Sequence, residues 1–465
     1  MKTGNKLKIG IVHYRVGLTD GVSLEIAKRV DILESLGHEV KLISGHFQTS
    51  ADFIIKELEF DDEEIKEIKE NSFKHFKKQT ISPQHLTEKI QYISDNIEKQ
   101  FYKIQKEEQF DFILIHNIYS IALHIPATIA FYKIAKSLKV NFISTNHDYY
   151  WERPNFQEPT SILIQDYLKR YFPPNLNNIV HVSINTIAQK ELKRRKGINS
   201  LVIPDVFDFD QNPWGKDSFN SDLLARMGIN DNDLIILQAT RIVKRKGIET
   251  TIQFVKELDR LKKQLFGQKL YNGKKINRDS DVTLLLAGFA EKFDYEYLRN
   301  LENEIERVGI KANFISDSIS TQRKNENGQK VYSLWDSYAV ADLVTYPSIF
   351  EGWGNQFIEA VFAKKPIVVF EYPVYKADIK PEGYNVISLG DKYTYRKNRS
   401  FIRVNQINIR MAAQESINVL ISDSTNEIVE NNFKIGAKYH GYNILSEFYD
   451  KLTNNILENK ENKYL

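Results

Sequence analysis

The chain has 465 residues, more than the ~250–300 at which single hydrophobic cores stop growing, so two domains are expected. Hydrophobic residues at 42%, with only 21 Gly and 12 Pro, exclude a collagen-like or low-complexity chain, and the absence of cysteine excludes disulfides, thiolate metal sites and a cysteine nucleophile. A balance of 64 Lys+Arg against 61 Asp+Glu, net +3, gives no reason to expect a nucleic-acid partner.

The opening MKTGNKLKIGIVHY lacks the apolar core and small-residue cleavage site of a signal peptide, which predicts a cytoplasmic location. KIGIVHY reads as a strand. VSLEIAKRVDILESLG then sets Val22, Ile26, Val30 and Leu33 on one helical face before HEVKLIS starts a second strand, a βαβ opening. Residues 56–110 form a charged, helical insert. From Phe112 to Tyr132 no charged residue appears, a length that could span a bilayer. His116, Asn117, Ser120, His124, Pro126 and Thr128 inside that run are costly in lipid, so a buried strand, a polar turn and a buried helix are expected instead. The strand VNFIST ends at Asn146–His147, a helix falls near 159–171, and IVHVSI and SLVIPDV flank the helix TIAQKELKRRKG.

VFDFDQNPWGKDSF breaks the pattern and places a domain boundary near residue 210. A second alternating series follows: strand DLIILQAT, loop RIVKRKG, helix IETTIQFVKELDRL, strand DVTLLLAG, helix YEYLRNLENEIERVG, strand ANFIS, helix KVYSLWDSYAVA, strand DLVTYPS, loop IFEGWG, helix NQFIEAVFAKK and strand PIVVFE. Residues 266–279 are expected to be a surface loop, and 443–460 an amphipathic helix. The expectation is thus an α/β chain with two Rossmann-like, doubly wound parallel-sheet domains, 1–210 and 211–440, and a terminal segment 441–465 crossing back to the first.

Chemistry concentrates in two segments of the second domain. In YPSIFEGWGNQFIEAVFAKK, Gly352 and Gly354 bracket Trp353 where a helix begins with Asn355, so backbone N–H groups and a helix N-terminus can meet a phosphate. Glu351 and Glu359 can point into one crevice, where a carboxylate accepts from vicinal hydroxyls; the alternative is two solvated glutamates beside an ordinary turn. In ATRIVKRKGIE, Arg241 and Lys246 suit a pyrophosphate, and the alternative is a solvated basic turn. No Walker-type phosphate loop is present. In the first domain His116 and His147 close strands on the crevice side, where neutral imidazole can bond a hydroxyl; each could equally be a satisfied structural group. His124 is assigned to the core, and the cluster Tyr149 to Pro154 to sugar stacking or to loop anchoring. Asp208-Phe209-Asp210 falls in the linker and reads as structural, so no metal is expected.

These residues carry a resemblance. Glu351-Gly-Trp-Gly-Asn-Gln-Phe-Ile-Glu359 is similar to the E-x7-E element of retaining GT-B glycosyltransferases of family 4, and the Arg241–Lys246 loop to that family's G-R-x-x-x-x-K-G element. Asp20-Gly21-Val22 with Leu36-Gly37-His38-Glu39-Val40 resembles its opening, Thr145-Asn146-His147-Asp148 its T-x-H-D, and Val202-Ile203-Pro204-Asp205 its interdomain I-P-N-G-V. Asp20 stands where the family has a first glycine, and Asp205-Val206 where it has Asn-Gly. The likeness spans about residues 8 to 440.

The resemblance implies the GT-B fold, two domains facing a central cleft, and transfer of a hexose with retention from a UDP- or GDP-linked sugar to an acceptor hydroxyl on a small sugar, sugar acid or surface-glycan precursor. It implies that Glu351 and His147 are catalytic and hold the donor sugar, that Arg241 and Lys246 neutralise the leaving diphosphate, and that Glu359 binds the ribose. Gly352, Gly354, Asn355, Gly21 and His116 complete the implied nucleotide-sugar site. Front-face attack with no metal or other cofactor follows from the same likeness. The partners implied are donor and acceptor, with no nucleic acid and no transmembrane segment; peripheral membrane contact and oligomeric state are left open. A GT-B sugar-nucleotide 2-epimerase or phosphorylase, and a non-catalytic nucleotide-sugar-binding protein, are the alternatives.

Overall fold

A computed structural model describes residues 6–17, 21–46, 50–76, 78–290, 294–326, 329–396 and 401–461. The chain forms two compact units, 1–206 with 442–465, and 207–441.

Unit 1 holds a seven-stranded parallel sheet of β1 (Lys8–Val12), β2 (Glu39–Ser44), β3 (Phe53–Ile54), β4 (Phe112–His116), β5 (Asn141–Asn146), β6 (Ile179–Ser183) and β7 (Ser200–Val202), in the order β3-β2-β1-β4-β5-β6-β7. Both faces are covered, which explains the near-continuous apolar strands. Ile9, Ile11, Phe112 and Leu114 point to one face, and Val12, Ile113 and Ile115 to the other, as the two-residue strand period requires. Helices Gly21–Ser35 and Tyr442–Glu461 cover the first face through Ile26, Leu33, Leu445 and Tyr449. Helices Pro83–Glu108 and Ile125–Ser137 cover the second through Ile90, Ile97, Phe101, Ala130 and Phe131. Each of these Ile, Leu and Phe side chains removed from water contributes about 1.5–3 kcal/mol.

The uncharged run resolves into strand β4, a turn and the helix Ile125–Ser137, and His124 starts that helix by accepting the Ala127 N–H through Nδ1 at 3.0 Å. No described helix is long and apolar enough to cross a membrane.

Unit 2 repeats the plan with β8 (Leu234–Gln238), β9 (Val282–Leu286), β10 (Lys311–Phe314), then β11 (Ile319–Ser320), β12 (Lys324–Glu326) and β13 (Gln329–Ser333), then β14 (Leu343–Tyr346), β15 (Ile367–Val369), β16 (Ile387–Ser388), β17 (Tyr393–Tyr395) and β18 (Ile402–Val404). Its main sheet is parallel in the order β10-β9-β8-β14-β15-β16.

The segment KVYSLWDSYAVA departs from its expected helix. Gln329–Ser333 is a strand between β11 and β12, and the helix starts only at Leu334. The alternation Lys330–Tyr332 sends two side chains to one carboxylate, Asp222, with Lys330 Nζ and Tyr332 Oη each 2.9 Å from its Oδ1. Ser333 and Asp336 then form a reciprocal cap that begins the helix one residue later. The loop 266–279 is more firmly held than a surface loop. Asn272 Nδ2 and Lys274 Nζ donate to the buried Asp342 at 2.7 and 2.6 Å, while Leu270 and Ile276 are buried.

Candidate functional site

In each sheet the chain winds outward one way and then the other, so loops at the reversal diverge and leave a crevice beyond the C-terminal strand ends. In unit 2 the reversal lies between β8 and β14. The loop after β8 carries Arg241 and Lys246, and the loop after β14 carries Glu351, Gly352 and Gly354, with Asn355 opening the helix Asn355–Phe362 that holds Glu359.

The two loops are locked together. Ile349 N–H donates to Arg245 O at 2.9 Å, and Arg245 Nη1 to Phe350 O at 3.0 Å. Gly247 has φ +59°, and a Cβ there would lie 2.5 Å from Pro347 O, so only glycine allows the approach. Gly354 has a different reason. A Cβ there would lie 2.3 Å from the Tyr372 hydroxyl, which donates to Trp353 O at 2.7 Å; the missing side chain seats that tyrosine under the loop.

Where the loops meet, Glu351 accepts from Lys246 Nζ through Oε1 and from Arg245 Nη1 through Oε2. Lys246 also donates to Gln356 Oε1 at 3.1 Å. Lys246 and Glu351 are buried, at 3% and 8% exposure, so neither is a solvated side chain of an ordinary turn, while Arg241 and Lys244 stay exposed. Burial drives the Lys246 ammonium below its ordinary range despite Glu351. Burial alone would raise the Glu351 carboxyl, but Lys246 and Arg245 outweigh it and hold it below its ordinary 4.5. Glu359 is also buried, and its Oε2 accepts from Tyr338 Oη at 2.9 Å. Arg241 is exposed at the start of its loop.

The sign of the Glu351 shift sets a pH dependence. A carboxyl whose folded pKa is depressed contributes stability above its unfolded pKa and loses it as pH falls through the folded value. Urea unfolding of the full chain should therefore show stability falling below pH 4.5, and Glu351→Gln should flatten that acid limb; an unchanged limb would refute the assignment.

In unit 1 the reversal lies between β1 and β4. His13 follows β1, His116 ends β4 and His147 follows β5, so three histidines gather at one sheet edge. His13 Nδ1 lies 2.9 Å from His116 O, and His116 Nδ1 lies 3.3 Å from His147 Nε2. Asn117, in the left-handed region at φ 57°, accepts the His147 N–H through Oδ1 at 2.8 Å and fixes the turn. His147 Nδ1 lies 3.5 Å from Asp205 Oδ1. His116 is fully buried, and burial, with the nearby Arg29 guanidinium, keeps it neutral far below its usual range. Its Nε2 has no hydrogen-bond partner among the described residues. Gly21 opens the helix after the β1 loop with open space beyond its Cα, whereas Asp20 lies outside the described residues.

The aromatic cluster at Tyr149–Pro154 is a loop anchor. Tyr149 and Trp151 stack at 4.5 Å and are buried, and Tyr149 Oη lies 2.9 Å from Ser183 Oγ. Asp208 Oδ1 accepts the Asp210 N–H at 3.0 Å, a turn-forming bond. Among the described residues no group of three or more His, Asp or Glu side chains could hold a metal ion.

Four participants escaped sequence reasoning: Arg245, Gln356, His13 and Asp205. Arg245 sat in plain view beside Lys246. Asp205 was visible only as a departure from the asparagine of a family segment.

Residues 221–387 match the family of glycosyl transferases group 1. The mannosylglucosylglycerate synthase of Petrotoga mobilis is 42% identical over 89% of this chain and 93% of its own length, and that of Thermotoga maritima is 36% identical over 96% and 99%. Among solved structures, a glycosyltransferase from Rickettsia africae superposes with a TM-score of 0.62 at 16% identity, covering 98% of this chain and 100% of its own.

Proposed function

The chain belongs to the glycosyl transferases of group 1 and has the GT-B fold, and on that premise we propose that it moves a mannosyl residue, with retention, from a UDP- or GDP-linked sugar to a hydroxyl of a glucosylglycerate. The relatives' name describes a product joining mannose, glucose and glycerate, and its outermost unit is the one added last.

One observation carries the reading: a buried carboxylate, Glu351, clasped by Lys246 and Arg245 at the switch point of unit 2. Cations there suit the charge that builds on a departing diphosphate, and the carboxylate suits sugar hydroxyls and oxocarbenium charge. Arg241 joins the cations, and Glu359 is assigned to the ribose. Gly352, Gly354 and Asn355 line the phosphate approach at the helix start. The histidines of unit 1, with Gly21 nearby in the chain, are assigned to hydroxyls of the sugar substrates. No metal is required in this reading.

The test is incubation with GDP-mannose or UDP-mannose, with and without glucosylglycerate, in EDTA. A mannosylated acid of retained anomeric configuration, formed only with acceptor, is expected. Epimerised sugar from donor alone, phosphorolysis, or nucleotide binding with no turnover would overturn the reading.

A further inference from the structure

We propose that Asp205, paired with His147 across 3.5 Å, and the hydrogen-bonded pair His147–His116 form a relay whose open end is Nε2 of His116, and that Asp205 is a positioning residue setting which imidazole nitrogens carry hydrogen. The proposal rests on the reading that the unit 1 histidines meet sugar hydroxyls.

The chain of contacts determines the polarity. Asp205 is buried, and although burial would raise its carboxyl, His147, Lys28 and Arg29 hold it ionised below the usual range. A carboxylate only accepts, so the His147 Nδ1 that faces it carries the hydrogen. With its one hydrogen on Nδ1, His147 presents a lone pair at Nε2. His116 Nδ1, 3.3 Å away, must donate to it, and neutral His116 is left with a lone pair on Nε2. That atom is buried and has no hydrogen-bond partner among the described residues. It is therefore set to accept a hydrogen bond, and the ligand group that satisfies it is a hydroxyl.

The charged neighbours are accounted for from every element packed on the relay. Helix Gly21–Ser35 contributes Glu25, Lys28 and Arg29, and the buried Arg29 Nη1 donates to Glu25 Oε2 at 2.9 Å. Lys28 Nζ reaches Glu25 and the Val206 carbonyl beside Asp205. Helix Tyr442–Glu461 contributes Tyr449 next to Arg29, and the β1 loop contributes His13 next to His116. Lys28 and Arg29, both paired with Glu25, thus add positive charge near Asp205. The relay also explains the departure at Asp205. An asparagine there could present either its carbonyl or its amide to His147 and would leave the tautomer undetermined.

The test uses 15N-histidine spectra of the full chain at neutral pH, paired with transfer kinetics, for wild type, Asp205→Asn and Asp205→Glu. Wild type is expected to carry hydrogen on Nδ1 of both His147 and His116. Asp205→Asn should disturb the tautomer of His116, which Asp205 does not touch, and lower kcat by about tenfold or more with donor KM shifted less than about threefold. Asp205→Glu should restore the tautomers and part of kcat. Hydrogen on Nε2 of His116 in wild type, or a His116 signal unmoved in Asp205→Asn, would overturn the relay. Predicted tautomers in a protein that transfers no sugar would leave the relay standing and overturn the function.

Discussion

Glu351→Gln is expected to lower kcat for transfer by about a hundredfold to a thousandfold while leaving nucleoside diphosphate binding as tight as in wild type or tighter. The amide keeps the shape of the side chain but withdraws the charge that the Lys246 ammonium and the Arg245 guanidinium share. Both cations are then released toward the crevice, where they meet a diphosphate more readily, while the carboxylate that would face the donor sugar is gone. The same change leaves a buried cation without its partner, and losing one member of such a pair costs about 3–5 kcal/mol. Lys246 is nearly fully buried, so a drop in the urea midpoint should accompany the kinetic loss. Steady-state kinetics and titration calorimetry with UDP and GDP separate the two effects. A variant retaining more than half the wild-type kcat would exclude Glu351 from the chemistry.

Lys246→Met should do the reverse. The thioether fills the volume of the lysine stem but cannot donate to a phosphate oxygen, so nucleoside diphosphate binding should weaken by about 1.5–3 kcal/mol, roughly tenfold to a hundredfold. Glu351 retains Arg245, so the carboxylate is not orphaned and the stability loss should be smaller than in Glu351→Gln. Opposite movements of diphosphate affinity in the two variants are the signature of an ammonium held in reserve by a carboxylate. If both weaken diphosphate binding equally, the pair is a structural clasp, and the role given to Lys246 fails.

Much of this site was legible before any tertiary structure. The doubly wound sheets follow from apolar runs alternating with helical periods, because a strand buried on both faces has no polar side to show. Glu351, Lys246, His116 and His147 were singled out because each stands at the end of a strand or in the loop between a strand and a helix, and such positions face the crevice of a parallel sheet. The exceptions share a cause. Lys330–Ser333 looked helical by local pattern and became a strand because Asp222, more than a hundred residues earlier, offers one carboxylate to two alternate side chains.

What the sequence by itself determined, then, was the period of each element and the strand end at which each reactive side chain would stand, since both depend on neighbours within a few residues. What only the tertiary structure decided was the partner each reactive group keeps. Lys246 meets Glu351 across 105 positions of sequence, and Asp205 comes to face His147 although each belongs to a different strand's loop. A charge on a loop looks solvated until a distant loop closes over it. Burial then makes an unpaired charge too costly to keep, so the pairing that folding supplies sets its protonation and the work it can do.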